Sequence, residues 1–392
     1  MSSPRHITAA ERRTRLALRH RLAASTRAGT PEEVADSLVA LHGTDPATVF
    51  LAVGARLADP TVTVDETARA LYEDRALVRM HGMRHTVFVF PGDLTAVVHA
   101  STGLAVAARE RGSLVKDMAK AGAPDAVWLK EVEDATLAAL ARRGQATAAE
   151  LAEDEPRLRE QWVYAPGKNY EGVHTLSTRL LRVLGVEGKV VRGRPLGGWT
   201  SNQLRWAVAP EHAELDPAEA QSALLRRWLT ACGPATEADL KWWTGWRVTE
   251  VRRALAAIGA ESVSLDEGVG YVAAGDLDPP AGPAEPWAAL LPGLDPTAMG
   301  WQGRDWYLAE AIRPRLFDRA GNVGPTVWWN GEVVGGWAQR ADGTVATKLL
   351  RDVGADAEAA IAVEAERWRK ALGEHRVTPR FRTPVEREIS EG

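Results

Sequence analysis

The chain has 392 residues, of which 45% are hydrophobic and 26% charged, with 35 glycines and 22 prolines. This composition excludes the collagenous, low-complexity and disordered classes. A chain of this length accommodates roughly two to four modules and buries enough apolar surface to fold without covalent cross-links. The formal net charge of −4 excludes a protein whose whole surface coats nucleic acid, although it is compatible with a local basic groove.

The sequence also disfavours several cofactors and locations. The single cysteine, Cys232, excludes an intramolecular disulfide bond, and the first residues lack the apolar core of a signal peptide. No apolar run approaches the roughly 18–20 residues of a membrane span, so we expect a cytoplasmic protein. His81 and His85 have a metal-like spacing without a third ligand nearby, and the glycine-rich loops of nucleotide sites are missing. We therefore expect no metal, no nucleotide and no other cofactor.

Residues 1–100 are predicted to form short helices followed by a hairpin. Capping residues that precede apolar positions at helical spacing mark four helix starts, at Thr8, Thr30, Asp45 and Thr63. The run from Leu77 to Pro91 is β-branched and aromatic around a central glycine, which predicts a two-stranded hairpin. This order of elements is typical of a winged helix.

The same order recurs twice, which predicts a repeated architecture without repeated sequence. Residues 143–215 are predicted to form a second winged helix, in which a helix passes into a basic hairpin turning at Glu187-Gly188. Residues 216–277 are predicted to form a third, with Thr236 capping its second helix. Residues 101–142 between the first two modules are predicted to be a helical connector with an acidic outer face.

The character of the sequence changes after the third module. A proline-rich connector runs from Asp278 to Pro286, and the strand-like runs after it are separated by Asn-Gly and Asp-Gly turns. We predict a small antiparallel β-barrel over residues 278–355, then a helix and basic tail over residues 356–392. The predicted fold class is thus α+β, with three tandem winged-helix modules and one small barrel.

Basic residues concentrate in the predicted hairpins and the tail, whereas residues 131–160 are acidic. Segregation of this kind fits a groove that follows DNA phosphates. The alternative for any single hairpin is a solvated tip. The candidate DNA-binding residues of these segments are Arg79, His85, Lys189, Arg192, Arg194, Arg205, Arg380 and Arg382.

Five blocks of sequence occur in a familiar order: LHGTDPATVFLAVGARL, MRHTVFVFPGDL, GPATEADLKWWTGW, LLPGLDPTAMGW and VWWNGEVVGGW. Together they resemble the signature blocks of the tandem winged-helix DNA-binding family that includes the AlkZ-type and YcaQ-type bacterial DNA glycosylases. The resemblance covers almost the whole chain. It implies a C-shaped arrangement of three winged helices and a barrel around a DNA-binding cleft. It also implies that Arg84 and Thr86 of the hairpin block contact phosphates, with cross-strand pairing as the alternative.

The family excises bulky alkylated purines, including interstrand crosslinks, and some members protect producers of DNA-alkylating antibiotics. Its catalytic motif is Gln-x-Gln or Gln-x-Asp, within a segment that usually reads leucine, glutamine, any residue, glutamine, aspartate, proline. Here the resemblance places His42 and Thr44 at the two motif positions, followed by Asp45. This departure from the family pattern either changes the activity of the site or abolishes it.

These residues have plausible chemistry for cleavage of an N-glycosidic bond. A guanine alkylated at N7 is already cationic and leaves without a general acid, so the site has to position a water and stabilise an oxocarbenium-like sugar. His42 can orient a water or accept its proton, Thr44 can hold it, and Asp45 can stabilise positive charge. As alternatives, Asp45 is a helix N-cap, Thr44 satisfies a loop backbone group, and His42 is a loop histidine.

The sequence therefore predicts a monomeric, nucleoid-associated, monofunctional DNA glycosylase that acts on duplex DNA carrying bulky N7-alkylguanine or N3-alkyladenine adducts. Its expected role is DNA repair or self-resistance to an alkylating natural product. One alternative is a non-catalytic winged-helix regulator or lesion sensor. Another is a module whose cleft binds a small molecule directly.

Overall fold

The computed structural model of the protein describes residues 4–122, 125–164, 172–282 and 285–392, and the predicted connector at 278–286 lies partly outside them. These ranges contain helices and small antiparallel sheets, which confirms the mixed class of the predicted fold. No helix in these ranges has the length and apolar character that crossing a membrane requires.

The first hundred residues begin their helices at the predicted positions. The side chains of Thr8, Thr30 and Asp45 each accept a hydrogen bond from a backbone N–H in the first turn of the helix that follows. The helices are α1 (Ala9–Arg19), α2 (Pro31–Leu38), α3 (Pro46–Gly54) and α4 (Thr63–Tyr72). The strands are β1 (Leu41–His42), β2 (Leu77–His81) and β3 (Val87–Pro91).

Three three-stranded sheets share one topology, in which a two-residue strand pairs with the second strand of a hairpin. In the first sheet the strand order is β1-β3-β2. The other two consist of β4 (Gln145–Ala146), β7 (Val190–Arg192) and β8 (Trp206–Val208), and of β9 (Ala235–Thr236), β10 (Glu261–Leu265) and β11 (Gly268–Val272). A separate antiparallel pair is formed by β5 (Gln161–Tyr164) and β6 (Gly172–Thr175). The repeated topology is consistent with the predicted repetition, whereas the winged-helix assignment stays a prediction.

Helices connect and flank these sheets. They are α5 (Thr95–Val98), α6 (Leu104–Lys120), α7 (Ala126–Arg143), α8 (Ala148–Asp154), α9 (Leu176–Val186), α10 (Pro217–Cys232), α11 (Glu237–Thr244) and α12 (Val248–Ala257). A π-helical turn, His99–Gly103, joins α5 to α6.

The predicted hairpin turn at Glu187-Gly188 is wrong. Gly188 has φ of 72°, and the N–H of Lys189 donates to the carbonyl of Leu184 at 2.9 Å, as at a helix end closed by a left-handed glycine. These residues therefore join α9 to β7. The hairpin between β7 and β8 is instead connected by residues 193–205.

The C-terminal strands form one antiparallel sheet, with turns at the predicted Asn330-Gly331 and Asp342-Gly343. Its order is sequential, in the strands β12 (Ala288–Leu291), β13 (Thr326–Trp329), β14 (Glu332–Gln339) and β15 (Val345–Leu349). The helices of this region are α13 (Pro296–Met299), α14 (Arg313–Leu316), α15 (Ala355–Leu372) and α16 (Pro384–Glu391). The sequence predicted α15 but not α16.

This sheet is open, so the predicted small barrel is corrected. In the described part of the chain β12 and β15 are edge strands that do not pair with each other. Four strands are too few to enclose a side-chain core, and helices cover the sheet instead. Trp368 of α15 stacks on Trp337 of β14 with ring centroids 5.9 Å apart, and its indole N–H donates to the carbonyl of Leu290 at 3.0 Å.

Apolar side chains form two main cores. One core joins residues of 16–98, 224–258 and 287–389 together with Trp199, and the other joins residues of 114–206. The first, third and C-terminal units predicted from the sequence therefore share a core, while the second has its own. Twelve of the 15 tryptophans are buried, so most of them belong to the core.

Candidate active site and DNA interface

The segment that carries His42, Thr44 and Asp45 is held against the first hairpin. Strand β1 pairs with β3 so that His42 lies opposite Phe88, and the N–H of Gly43 donates to the carbonyl of Val87 at 2.8 Å. Helix α3 begins directly afterwards at Pro46. The candidate residues thus stand between a strand end and a helix N-terminus, where the backbone is fixed on both sides.

His42 is an almost buried, neutral imidazole. The residue is 9% exposed, and its ring packs edge-on against Phe88 with centroids 5.3 Å apart. Burial, followed by the positive charges of Arg84 and Arg79, lowers the pKa of His42 to about 4. The N–H of Thr44 lies 3.5 Å from Nδ1 and donates to it weakly. This contact favours the tautomer that carries its proton on Nε2.

Asp45 caps α3 and also forms a hydrogen bond with the C-terminal tail. One carboxylate oxygen accepts from the N–H of Ala47 at 3.2 Å, and the other accepts from the N–H of Arg380 at 3.1 Å. The geometry is that of the N-cap alternative. Thr44, one residue earlier, is partly exposed.

Arg79 was predicted to bind DNA, but it lies beneath the surface. The residue is 3% exposed, and both Nε, at 2.8 Å, and Nη2 donate to the carbonyl of Gly43. Gly43 is the residue between His42 and Thr44. Arg79 is therefore placed to position the candidate active segment rather than to contact a phosphate at the surface.

Arg84 is exposed at the tip of the first hairpin and lies near His42. Its guanidinium carbon is 4.2 Å from the centroid of the Trp242 ring, a cation–π contact between the first hairpin and α11. Arg84 and His85 have φ of 51° and 63°, a left-handed conformation that costs energy for residues other than glycine. The hairpin tip is thus held in a strained shape by contacts with other parts of the chain.

His85 and Thr86 complete this tip. The His85 ring accepts from Arg182 Nε at 3.1 Å and lies 3.3 Å from a carboxylate oxygen of Glu110. Burial and the charge of Arg182 lower the pKa of His85. Thr86 closes the turn, because its N–H donates to the carbonyl of Met83 at 3.0 Å.

The basic residues predicted in the second unit have different surroundings. Lys189 pairs with Glu187 at 2.9 Å, and Arg194 pairs with Glu73 at 2.8 Å. Arg205 donates from Nε to the carbonyl of Arg194 at 2.7 Å. Arg192 instead lies over the indole of Trp206, with its guanidinium carbon 3.6 Å from the ring centroid. Exposed ion pairs such as the first two contribute little to stability and leave the cation available to exchange partners.

The two arginines predicted in the tail also differ. Arg380 is exposed and forms no ion pair with the acidic side chains that the structure describes, and its charge acts on Arg79. Arg382 is held by both carboxylate oxygens of Glu386, at 2.7 and 3.0 Å. Arg380 is thus free to contact a phosphate near the candidate site, whereas Arg382 is already paired.

The fold therefore brings part of the predicted set together. His42, Thr44, Asp45, Arg79, Arg84 and Arg380 gather around the start of α3. Sequence reasoning missed Phe88, Arg182 and Trp242 as neighbours of the site, although the alternation of β3 could have indicated that Phe88 and His42 share a face. Among the described residues no group of three or more potential ligand side chains could hold a metal ion.

Comparison with known proteins relates the chain to a described family and to a solved structure. A family model described as DNA glycosylase AlkZ-like matches residues 35–371. The fold is similar to that of the DNA glycosylase AlkZ from Streptomyces sahachiroi, with a TM-score of 0.69 and 19% sequence identity over 94% of this chain and 97% of that chain. At this identity the likeness concerns the fold. No match was found among curated proteins.

Proposed function

Because this chain belongs to the AlkZ-like family of DNA glycosylases, we propose that it hydrolyses the N-glycosidic bond of alkylated purines in duplex DNA, with a water positioned by His42 and Thr44. The observation that carries the proposal is the neutral, almost buried imidazole of His42 two residues before the partly exposed Thr44. Arg84 and Arg380 provide exposed positive charge next to them.

The low pKa makes His42 comparable to the glutamine of the usual family motif. A neutral imidazole has one hydrogen-bond donor and one acceptor, and a glutamine side chain also offers both functions. A group whose pKa is about 4 is poorly matched to proton abstraction at neutral pH. His42 therefore serves to orient a group through Nε2–H, and the role of general base, which the sequence left open, is not required.

A dissociative mechanism fits this arrangement. A purine alkylated at N7 or N3 leaves as a neutral base, so the bond weakens without a general acid and the sugar becomes oxocarbenium-like. The water then needs only to be held in line for attack, between His42 Nε2–H and the Thr44 hydroxyl oxygen, and after the carbon–oxygen bond has formed it loses its proton to solvent. The segment 41–46 contains no lysine, and its neighbours Arg79, Arg84 and Arg380 are arginines. The proposed activity is therefore monofunctional.

The proposed substrates are bulky N7-alkylguanine and N3-alkyladenine adducts, including crosslinks. Flipping a bulky adduct into a tight pocket is unfavourable, and the exposed Arg84 and Arg380 flank the segment that carries His42. A monomer associated with the nucleoid, acting in repair or in self-resistance to an alkylating natural product, is part of the same proposal.

Base release from defined lesions tests the proposal. Duplexes that carry a single N7-alkylguanine of graded size are incubated with excess protein, and abasic sites are measured by alkaline strand cleavage. We expect His42→Ala to lower the single-turnover rate about a hundredfold. His42→Gln, which restores one donor and one acceptor, should remain within about tenfold of the wild type. The matched control is His6→Ala, because His6 is exposed and pairs with Asp266 far from this segment in sequence.

Two results would contradict the proposal. Undiminished excision in both His42→Ala and Thr44→Ala would remove these residues from the active site. Binding of every adducted duplex without base release would instead favour the regulator or lesion-sensor alternative.

A further inference from the structure

A cavity of about 140 Å³ lies between the first sheet and the second sheet, and its lining is basic. It is bounded by residues of β2, β7 and β8, and three of its side chains are arginines, whereas none of its lining residues is acidic. The polar side chains of its lining belong to Tyr72, Arg75, Arg79, Thr95, Gln145 and Arg192. Its volume is well below the roughly 300–1,000 Å³ of pockets for drug-sized ligands. The cavity therefore suits a small ion rather than a nucleotide.

Arg79 lines this cavity with a guanidinium that is not fully hydrogen-bonded. Its Nε and Nη2 donate to the carbonyl of Gly43, and the guanidinium also lies within hydrogen-bonding reach of the Tyr72 side chain, but Nη1 is buried and has no well-aligned hydrogen-bond partner among the described residues. Leaving a buried charged donor unpaired costs more than a normal hydrogen bond contributes. A guanidinium that is 3% exposed and retains a free N–H on a cavity wall is the arrangement expected around an anion.

Arg192 is a second such group in the lining of the cavity. The indole of Trp206 supports its guanidinium, and its Nε is buried without a partner in the described part of the chain. Burial and then the like charge of Arg79 lower its pKa to about 9. Two cations that repel each other in an acid-free cavity are costly unless a counter-ion is present.

We propose that this cavity is a binding site for a phosphate-class oxyanion, held between the guanidinium groups of Arg79 and Arg192 with Gln145 and Tyr72 at its margin. Guanidinium N–H groups match the oxygen spacing of a tetrahedral oxyanion. Arg75 adds an exposed charge at the same cavity. The anion is either free inorganic phosphate or one phosphate of the DNA backbone, and binding of the free ion does not depend on the proposed glycosylase activity.

The site is linked to the candidate active segment through Arg79. An anion on Nη1 completes the hydrogen bonds of a guanidinium whose other two nitrogens hold the Gly43 carbonyl. Occupancy therefore fixes the backbone between His42 and Thr44. Arg79 is a positioning residue in this scheme, because it does not reach the reacting atoms.

Equilibrium dialysis with radiolabelled inorganic phosphate at constant ionic strength tests the site. We expect saturable binding of one phosphate per chain to the wild type, and Arg192→Gln should bind about tenfold more weakly or worse, because a charge-assisted donor is lost. The matched control is Arg226→Gln, an exposed arginine of α10 in another groove whose lining includes Asp93 and Glu219. This control should bind phosphate like the wild type.

Because Arg192 packs on Trp206, a second variant is needed to separate loss of the anion site from loss of the fold. Arg75→Gln changes only an exposed side chain and should weaken phosphate binding severalfold while circular dichroism stays unchanged. Absence of saturable binding to the wild type would overturn the proposal. Equal binding by the wild type, Arg192→Gln and Arg75→Gln would overturn it as well.

An unmodified duplex distinguishes the two sources of the anion. If a backbone phosphate occupies the cavity, saturating DNA displaces the labelled phosphate, and Arg192→Gln lowers the salt dependence of DNA binding by about one phosphate contact. If the anion is free phosphate, DNA and phosphate bind together. Phosphate binding without base excision would contradict the proposed function while supporting this site, so the two proposals fail separately.

Discussion

At the scale of single residues, the environment of His42 changes the chemistry that its side chain can perform. An exposed histidine titrates near pH 6.5, where it would serve as a general base. In this fold burial and two nearby arginines hold its pKa at about 4. The imidazole is therefore neutral over the physiological range and behaves as a fixed hydrogen-bonding group.

This leads to a prediction for the pH dependence of excision. Because His42 gains its proton only near pH 4, the enzyme-dependent rate should be flat between about pH 5.5 and 8 and should show no inflection at the ordinary histidine pKa. Single-turnover rates, corrected for spontaneous base loss at each pH, provide the measurement. A rate that rises tenfold per pH unit around pH 6.5 would indicate that His42 acts as a base after all.

A second prediction at this scale concerns the glycine between His42 and Thr44. A Cβ at Gly43 would lie 3.1 Å from the carbonyl carbon of Phe88 and 3.2 Å from the carbonyl oxygen of Val87. Backbone atoms of a paired strand cannot yield easily, so Gly43→Ala should displace the segment and lower excision at least about tenfold.

Gly112→Ala is the matched control for this substitution. Gly112 lies within α6, and a Cβ there would meet no atom within 4 Å. Because alanine favours a helix over glycine, this variant should be active and slightly more stable. Equal activity of Gly43→Ala and Gly112→Ala would show that the close approach at Gly43 is unimportant.

At the scale of elements, a buried ion pair joins α3 to the C-terminal sheet region. Arg56 and Asp295 are both 0% exposed in their side chains, and two bonds of 2.9 and 2.7 Å connect them. Arg56 also donates to the carbonyls of His20 and Ala52. The pair fixes how the N-terminal helices sit against the segment that precedes α13.

We predict that Asp295→Ala destabilises the protein by about 3–5 kcal/mol, because it leaves a buried guanidinium without its counter-charge. Breaking the exposed pair of Glu66 and Arg69 with Glu66→Ala should cost less than about 1 kcal/mol. Urea denaturation followed by circular dichroism compares the two variants. Similar losses of stability in both variants would mean that burial of the Arg56–Asp295 pair does not increase its contribution to stability.

At the scale of the whole molecule, three buried histidines couple stability to pH. Burial is the largest cause in each, and the pKa is lowered to about 3 for His20, about 4 for His42 and about 3 for His81. Below the ordinary pKa of 6.5 the unfolded chain takes up protons that the folded chain does not. Stability is therefore fully present above about pH 6.5 and is lost as the pH falls toward 4.

The predicted loss is on the order of 1.4 kcal/mol per pH unit for each histidine. Thermal unfolding measured between pH 7.5 and 5 should show a midpoint that falls steadily below about pH 6.5. His81→Gln should make this slope shallower, because one of the histidines that stay unprotonated in the folded chain is removed. A midpoint independent of pH in this range would show that these histidines take up protons as readily in the folded chain as in the unfolded chain.

Much of the local structure could be predicted from the sequence, because its causes lie within a few residues. The caps at Thr8, Thr30 and Asp45 and the turn at Asn330-Gly331 were found at the predicted positions. The turn at Glu187-Gly188 was misassigned, since a glycine that ends a helix and one that turns a hairpin use the same left-handed backbone.

The candidate site could be predicted only in part. The resemblance indicated the segment of His42, Thr44 and Asp45, and the structure adds how they are held. Charge patterning could not separate Arg79, which is buried under Gly43, from Arg84, which is exposed over Trp242. Both are arginines of one hairpin, and their different surroundings depend on residues distant in the chain.

The sequence by itself determined the order of helices and hairpins, the positions of their caps and the segment that carries the candidate site, because short-range hydrogen bonding and apolar periodicity control these features. Only the tertiary structure decided that the C-terminal sheet stays open under α15 and that His42 remains neutral. It also decided that Arg79 and Arg192 share a cavity without an acidic residue. These outcomes depend on burial and on partners far apart in sequence, which no local pattern specifies.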